Sequence, residues 1–180
     1  MSMAASQSRF EHFGAPIVVM GVSGCGKSSI AAAIAAKFGW RFIEGDNLHP
    51  TSNIETMSKG IPLTDDDRLP WLAAIGTEIG DHQQGGIVVS CSALKRSYRD
   101  LLREAAQGNL VFVYLYGSRQ VLEQRMSGRQ GHFMPVSLLE NQLEALQDPR
   151  GETGVITVVI DQPVADLIDD VLRCLKSYCW

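Results

Sequence analysis

The chain predicts an α/β fold, a three-layer α/β/α domain around a five-stranded parallel sheet, and three observations carry that prediction. Short apolar runs alternate with helical patterns from residue 17 to the last helix, the order that strands joined by right-handed helical crossovers produce. Ile87 to Cys91 reads as a buried, parallel-type strand. The stretch Gly21-Val22-Ser23-Gly24-Cys25-Gly26-Lys27-Ser28 fits Gly-x-x-x-x-Gly-Lys-Ser and lies between the apolar run Ile17-Val18-Val19-Met20 and a helical pattern, the context that makes such a motif a phosphate-binding loop.

Residues 1–14 are polar, small or glycine and read as a flexible N-terminal arm, with residues 15–180 as a single domain. After the first strand and its loop, Ile30, Ile34 and Phe38 recur at four-residue steps and Gly39 ends that helix. A second strand, Arg41 to Glu44, runs into Gly45-Asp46 and puts a carboxylate past its C-terminal end. Residues 48–66 form a substrate-side insertion, broken by Pro50, Gly60 and Pro62 into a short helix and turns. Thr64 opens a capping-box type of start, with Trp71, Leu72, Ile75 and Ile79 following at helical spacing. The Asp65-Asp66-Asp67 cluster is then either a charged first turn or a metal ligand set, and the first reading is preferred.

Tyr98, Leu101, Leu102 and Ala105 mark the helix after the third strand, and Leu110 to Tyr116 is the fourth strand. Ser118 can cap a helix bearing Val121, Leu122 and Met126; two glycines and Pro135 then interrupt the pattern and make 127–136 a candidate lid. Ser137 to Glu140 reads as a capping box for the next helix. Val155 to Ile160 is the fifth strand, and Val164 to Leu175 carries an amphipathic final helix to which Cys174 and Cys179 are assigned. All five strands point their carboxyl ends at one rim, where ligands of parallel sheets bind.

Composition narrows the partners. The net charge is −4 over 180 residues, which is the wrong sign for a diffuse nucleic-acid-binding field. No apolar run is long enough to span a bilayer, and residues 1–13 lack the order of a secretory signal. A cytoplasmic protein without membrane or nucleic-acid partners is expected. The four cysteines form no zinc or redox motif and are read as reduced thiols; exposure of Cys25 beside Lys27 would make it oxidisable.

Phosphoryl transfer needs cations on the phosphates, a metal, and an acceptor hydroxyl held in line while its proton leaves. In the loop, main-chain N–H groups wrap the phosphates, Lys27 reaches the β- and γ-phosphates, and the Ser28 hydroxyl can ligate Mg²⁺. Gly21, Val22, Ser23, Gly24, Cys25, Gly26, Lys27, Ser28 and Ser29 are the expected ATP-binding residues. The third strand ends in hydroxyl and thiol groups where many phosphate-loop proteins place an Asp, so Asp46 is the candidate proton acceptor and holder of a Mg²⁺-bound water. Its alternative role is capping the following helix. Arg125 and Arg129, four apart at the lid's edge, are candidates for closing over ATP, with a solvated basic face as the alternative and Arg119 as a weaker choice. A carboxylate-bearing acceptor would need a fork from Arg68, Lys95, Arg96 or Arg99. Arg68 is the first choice, weighed against simple pairing with the acidic turn. His49, Asn53 and Ser92 offer hydrogen bonds suited to a polyhydroxylated molecule. His132, beside Phe133, is either a pocket residue or a structural histidine.

Beyond the loop, Gly45-Asp46-Asn47-Leu48-His49-Pro50, Asn53, Met57, Gly60-Ile61-Pro62-Leu63, Asp65 to Arg68 with Pro70-Trp71-Leu72, Cys91-Ser92-Ala93-Leu94-Lys95 with Tyr98-Arg99-Asp100, and Gly131-His132-Phe133-Met134-Pro135 together resemble the gluconate kinase (gluconokinase) family, in order from about Ile17 to Pro149. The resemblance implies an adenylate-kinase-like P-loop kinase with a small lid, ATP:D-gluconate 6-phosphotransferase activity, a requirement for Mg²⁺, and often a homodimer. Carried over by position, it makes Gly21 to Ser28 the ATP loop, Asp46 the base, Arg68 and the Lys95-to-Arg99 region sugar-acid contacts, and Arg125 and Arg129 lid arginines; Lys27, Asp46 and Arg129 are the expected catalytic residues. A kinase of another small acceptor, such as a shikimate-like acid or a nucleoside monophosphate, shares the architecture. A nucleotide-gated switch is a reading of a different class, and the chain has no Asn-Lys-x-Asp motif for a GTPase form of it.

Overall fold

The computed structural model describes residues 14–84, 86–127 and 136–178. Five strands, β1 (Ile17–Met20), β2 (Arg41–Glu44), β3 (Ile87–Ser90), β4 (Val111–Tyr116) and β5 (Val155–Val159), lie at the expected places, each within a residue of the expected ends. All pair in parallel, in the order β2-β3-β1-β4-β5. Because β1 sits between β3 and β4, the chain leaves the sheet centre in both directions, and the crevice beyond β1 is the switch point at which such sheets bind ligands.

Among the described residues the helices are α1 (Lys27–Phe38), α2 (Thr51–Ser58), α3 (Asp65–Gly80), α4 (Arg96–Ala105), α5 (Arg119–Ser127), α6 (Val136–Ala145) and α7 (Val164–Ser177), with one 3-10 turn at Gly45–Leu48. Side-chain alternation along β1 divides the core. Ile17 and Val19 face Ile30 and Ile34 of α1 and Leu167, Val171 and Leu175 of α7, while Val18 and Met20 face Trp71, Leu72, Ile75 and Ile79 of α3 and Tyr98 and Leu102 of α4. A strand covered on both faces has no solvent side for polar residues, which is why Ile17 to Met20 is apolar throughout.

Local signals set most helix ends. Gly39 closes α1 in the left-handed conformation at φ 68°. At α3, Thr64 Oγ1 accepts the Asp67 N–H at 3.2 Å while Asp67 Oδ2 accepts the Thr64 N–H at 2.8 Å, the reciprocal pair that the sequence predicts. The Asp65 to Asp67 cluster is therefore the first turn of a helix. Ser118 Oγ accepts the Val121 N–H at 3.4 Å at the start of α5. The helix expected after Ser137 is α6, described from Val136, and the capping role expected of the Ser137 side chain lies outside the described residues. The last helix ends at Ser177, which leaves Cys179 outside the described residues along with the N-terminal arm through residue 13 and lid positions 128–135.

Candidate functional site

Three strand ends build one side of the rim. After β1 the loop Gly21–Gly26 turns into α1 through Gly26, at φ 95°, a left-handed conformation that side-chain-bearing residues rarely adopt. The Gly21 N–H donates to the Ser92 carbonyl at 3.3 Å, locking the loop to the segment after β3. Lys27 Nζ donates to the Val22 carbonyl at 3.1 Å, so the ammonium folds back over its own loop. Ser28 and Ser29 are exposed at the first turn of α1.

Cys25 is fully buried, and burial pushes its thiol up, outweighing the opposing pull of Lys27 and Arg125. The oxidisable, exposed thiol that the sequence left open is not what the fold makes. Cys25 in the native protein is expected to resist iodoacetamide at pH 7–8 and to label only on unfolding. Peptide mass spectrometry after native labelling tests this, and rapid modification in native buffer would refute it.

At the next strand end, Ser90 Oγ donates to the Glu44 carboxylate and accepts the Gly45 N–H at 3.2 Å. Trp71 Nε1 donates to the Gly45 carbonyl at 2.7 Å. The β2 and β3 ends are thus stapled by a serine and an indole, and Asp46 projects from the turn they hold, exposed beside the site. Gly45 is needed for closeness: a Cβ there would lie 2.0 Å from the Ser90 carbonyl oxygen, a backbone atom that cannot step aside. Gly45→Ala is expected to destabilise the fold by about 3 kcal/mol, read as a lowered denaturation midpoint; an unchanged midpoint would show that the strand ends are looser than described. Cys91 is fully buried, and burial drives its pKa to about 12.

The other side of the rim comes from the insertion and α3. The His49 ring stacks on Trp71 with centroids 4.3 Å apart and planes 12° from parallel. Buried Asn53 donates through Nδ2 to the Asp67 carbonyl at 2.7 Å and meets His49 Nδ1 at 3.3 Å. Since the Asp67 carbonyl can only accept, the Asn53 amide orientation is fixed and His49 Nδ1 must accept; the imidazole is neutral with its proton on Nε2. Burial lowers the His49 pKa, against the Asp46 carboxylate and with the Arg68 guanidinium, which agrees with a neutral ring.

Arg68 touches the Tyr98 hydroxyl at 3.4 Å and Asp65 at 3.9 Å, both through Nη1. Lys95 Nζ lies 2.7 Å from both Asp65 oxygens, and Tyr98 donates to the same carboxylate. The hydrogen bonds from Lys95 and Tyr98 hold the exposed Asp65 carboxyl below the usual range. Asp65 therefore engages Lys95 closely and Arg68 only loosely, so the alternative of simple pairing with the acidic turn describes Lys95 better than Arg68. Ser92 is half-buried at the loop side of the same rim.

Arg99 is the clearest correction. Its side chain is fully buried: Nε and Nη2 bond Glu152 at 3.1 and 2.6 Å, Nη1 bonds the Ala93 and Leu94 carbonyls at 2.9 and 3.0 Å, and Nη2 bonds the Gln147 carbonyl at 3.0 Å. All five guanidinium protons are used. Nothing is left for a sugar acid, and Arg99 instead holds the backbone at Ala93, a non-glycine residue at φ 44°.

Arg125 is in place but differently employed. It donates to the carbonyls of Cys25, Ile160 and Gln162 at 3.5, 2.5 and 3.2 Å, and with Gly26, Ser29, Pro163 and Val164 lines a cavity of about 360 Å³ beside the loop. It faces the space next to the loop from the β5 side. Arg119 is exposed and paired with Glu123 and Glu140. Arg129 and His132 lie outside the described residues. Sequence reading missed the polar roles of Glu44, of Trp71 as a hydrogen-bond donor and of the Tyr98 hydroxyl, which depend on partners distant in the chain. The apolar spacing that assigned Trp71 and Tyr98 to the core holds, but it is silent about their polar ends.

No family model matches the chain. Among curated relatives, the thermoresistant gluconokinase of Escherichia coli is 46% identical over 163 residues, covering 89% of this chain and 93% of that protein. A solved gluconokinase from Sinorhizobium meliloti superposes with a TM-score of 0.86 at 59% identity, covering 91% of this chain and 93% of the other. A shikimate kinase from Acinetobacter baumannii, at 19% identity and a TM-score of 0.62 over 95% of this chain and 97% of its own, shares the fold alone. Identity at this level across nearly the whole length leads to one conclusion: the chain belongs to the gluconokinase family.

Proposed function

We propose that the chain transfers the terminal phosphoryl group of ATP to the 6-hydroxyl of D-gluconate, giving 6-phospho-D-gluconate and ADP. The observation that carries this reading is that the phosphate loop and the Asp46 turn are both tied to the end of β3, the Gly21 N–H to the Ser92 carbonyl at 3.3 Å and the Gly45 N–H to Ser90 Oγ at 3.2 Å. A cation for the phosphates and a carboxylate for the hydroxyl proton thus flank one spot at the sheet's switch point.

The loop amides and the N-terminus of α1 receive the polyphosphate, and the cavity bounded by Arg125 and Val164 receives the nucleoside. Asp46 accepts the proton of the acceptor hydroxyl as its oxygen bonds to phosphorus and the bond to the ADP oxygen breaks. Arg68 takes the carboxylate, with Lys95 beside it. Neutral His49, donating through Nε2, and Ser92 hydrogen-bond the hydroxyls. Among the described residues no group of three or more His, Cys, Asp or Glu could hold a metal by itself. Exposed Ser28 and Asp46 fit Mg²⁺, which takes few protein ligands and relies on phosphate and water for the rest. When bound, the metal neutralises charge on the phosphates.

No helix among the described residues is long and apolar enough to cross a membrane. A cytoplasmic location, where ATP is at hand, and assembly as a homodimer belong to the same proposal; sedimentation reads the second. The deciding experiment offers D-gluconate, shikimate and nucleoside monophosphates with ATP and Mg²⁺, following ADP release and the phosphorus spectrum of the product. D-gluconate is expected to give the 6-phosphate. No product from it, with turnover of a competitor, would sink the reading; ADP release indifferent to every acceptor would favour a switch.

A further inference from the structure

Ser23 and Gln142 are separated by 119 positions, yet Gln142 Oε1 accepts the Ser23 N–H at 2.7 Å. Ser23 is the third residue of the phosphate loop, where main-chain donors face the polyphosphate. A neutral carboxamide oxygen thus takes a donor that a phosphate oxygen would also use. Gln142 lies on α6, which is seated on the core through buried Leu139 and partly buried Leu143.

Just past its C-terminal end, α6 is tied to the acceptor rim. The Gln147 N–H donates to the Leu94 carbonyl at 2.9 Å, Gln147 Oε1 accepts the Arg96 N–H at 2.7 Å, and the Gln147 carbonyl accepts from Arg99. Leu94 and Arg96 flank Lys95, placed above beside the acceptor. The helix therefore touches the phosphate loop at Gln142 and, just past its end, the Leu94–Arg96 segment at Gln147.

We propose that Gln142 is a positioning residue that couples the two substrates: the terminal phosphate displaces its oxygen from Ser23, and α6, released at that point, resets the Leu94–Arg96 segment for gluconate. This rests on the gluconokinase reading above. Coupling of this kind is reciprocal, so gluconate must change nucleotide affinity by the same factor.

Calorimetric titration of the full chain with a non-hydrolysable ATP analogue and with D-gluconate, each with and without the other, tests this in the unsubstituted protein, Gln142→Ala and Gln142→Glu. In the unsubstituted protein, each ligand is expected to tighten the other. Gln142→Ala is expected to bind the analogue three- to tenfold more tightly, the order expected on losing one competing neutral hydrogen bond, while the coupling factor falls to about one. Gln142→Glu keeps the acceptor but sets a negative charge against the phosphates, and is expected to weaken the analogue at least tenfold. Opposite signs at one position cannot come from helix packing.

An unchanged coupling factor in Gln142→Ala overturns the proposal, as does independent binding in the unsubstituted protein or weakening by both variants. If the melting curve shows that Gln142→Ala does not fold, Gln142→Met, which keeps the bulk without the oxygen, takes its place. A protein that binds no nucleotide overturns the kinase reading and the coupling with it, whereas one that phosphorylates gluconate with the factor intact in the variant overturns the coupling alone.

Discussion

Replacing Lys27 with alanine is expected to lower kcat/KM for gluconate phosphorylation by about 10³-fold or more, the range seen when a cation on a transferring phosphoryl group is removed. Among the described residues the side chain makes one hydrogen bond, to the Val22 carbonyl, so little stability depends on it. On the proposed reading its ammonium leaves that carbonyl for the phosphates, where charge grows during transfer and where Lys27 stands beside the glycine-rich backbone. Steady-state kinetics beside a thermal melt make the test. Turnover within tenfold of the unsubstituted enzyme, with the melt unchanged, would mean that another cation carries the load.

Asp46→Asn is expected to keep nucleotide affinity within about threefold and to lower kcat by roughly 10²- to 10⁴-fold, the contribution of a positioned general base. The carboxamide has the same shape and the position is exposed, so the Glu44–Ser90–Gly45–Trp71 staple that positions it survives. What is lost is the capacity to take a proton. Nucleotide titration together with single-turnover transfer separates the two effects. Unchanged transfer in Asp46→Asn would remove the residue from the chemistry and return it to a structural role.

The pair forms a contrast with Arg68 and Arg99. Both are arginines near the acceptor rim, and composition and spacing treat them alike. The structure uses all five donors of Arg99 on backbone carbonyls and Glu152, and only Nη1 of Arg68. Charge at a position can be read along a chain; whether that charge is already spent cannot, because three of the five donors go to Gln147 and Glu152, about fifty positions away, and the other two to carbonyls that only the fold turns toward the side chain. Ser23 and Gln142 repeat the lesson across a longer gap.

By itself the sequence determined the five strands, the phosphate loop, the capping box at Thr64 and the placing of Asp46 past a strand end, and its motifs already resembled the right family. Those features are encoded within a few adjacent residues, by periodicity, by glycine at a left-handed turn, and by side chains that cap their own backbone. Only the tertiary structure decided the strand order β2-β3-β1-β4-β5, the burial of Cys25, the neutral tautomer of His49, the withdrawal of Arg99 from the acceptor side and the bond between Gln142 and the loop. Each of these depends on which distant groups compete for the same donor or the same space, and that competition exists only once the layers have packed.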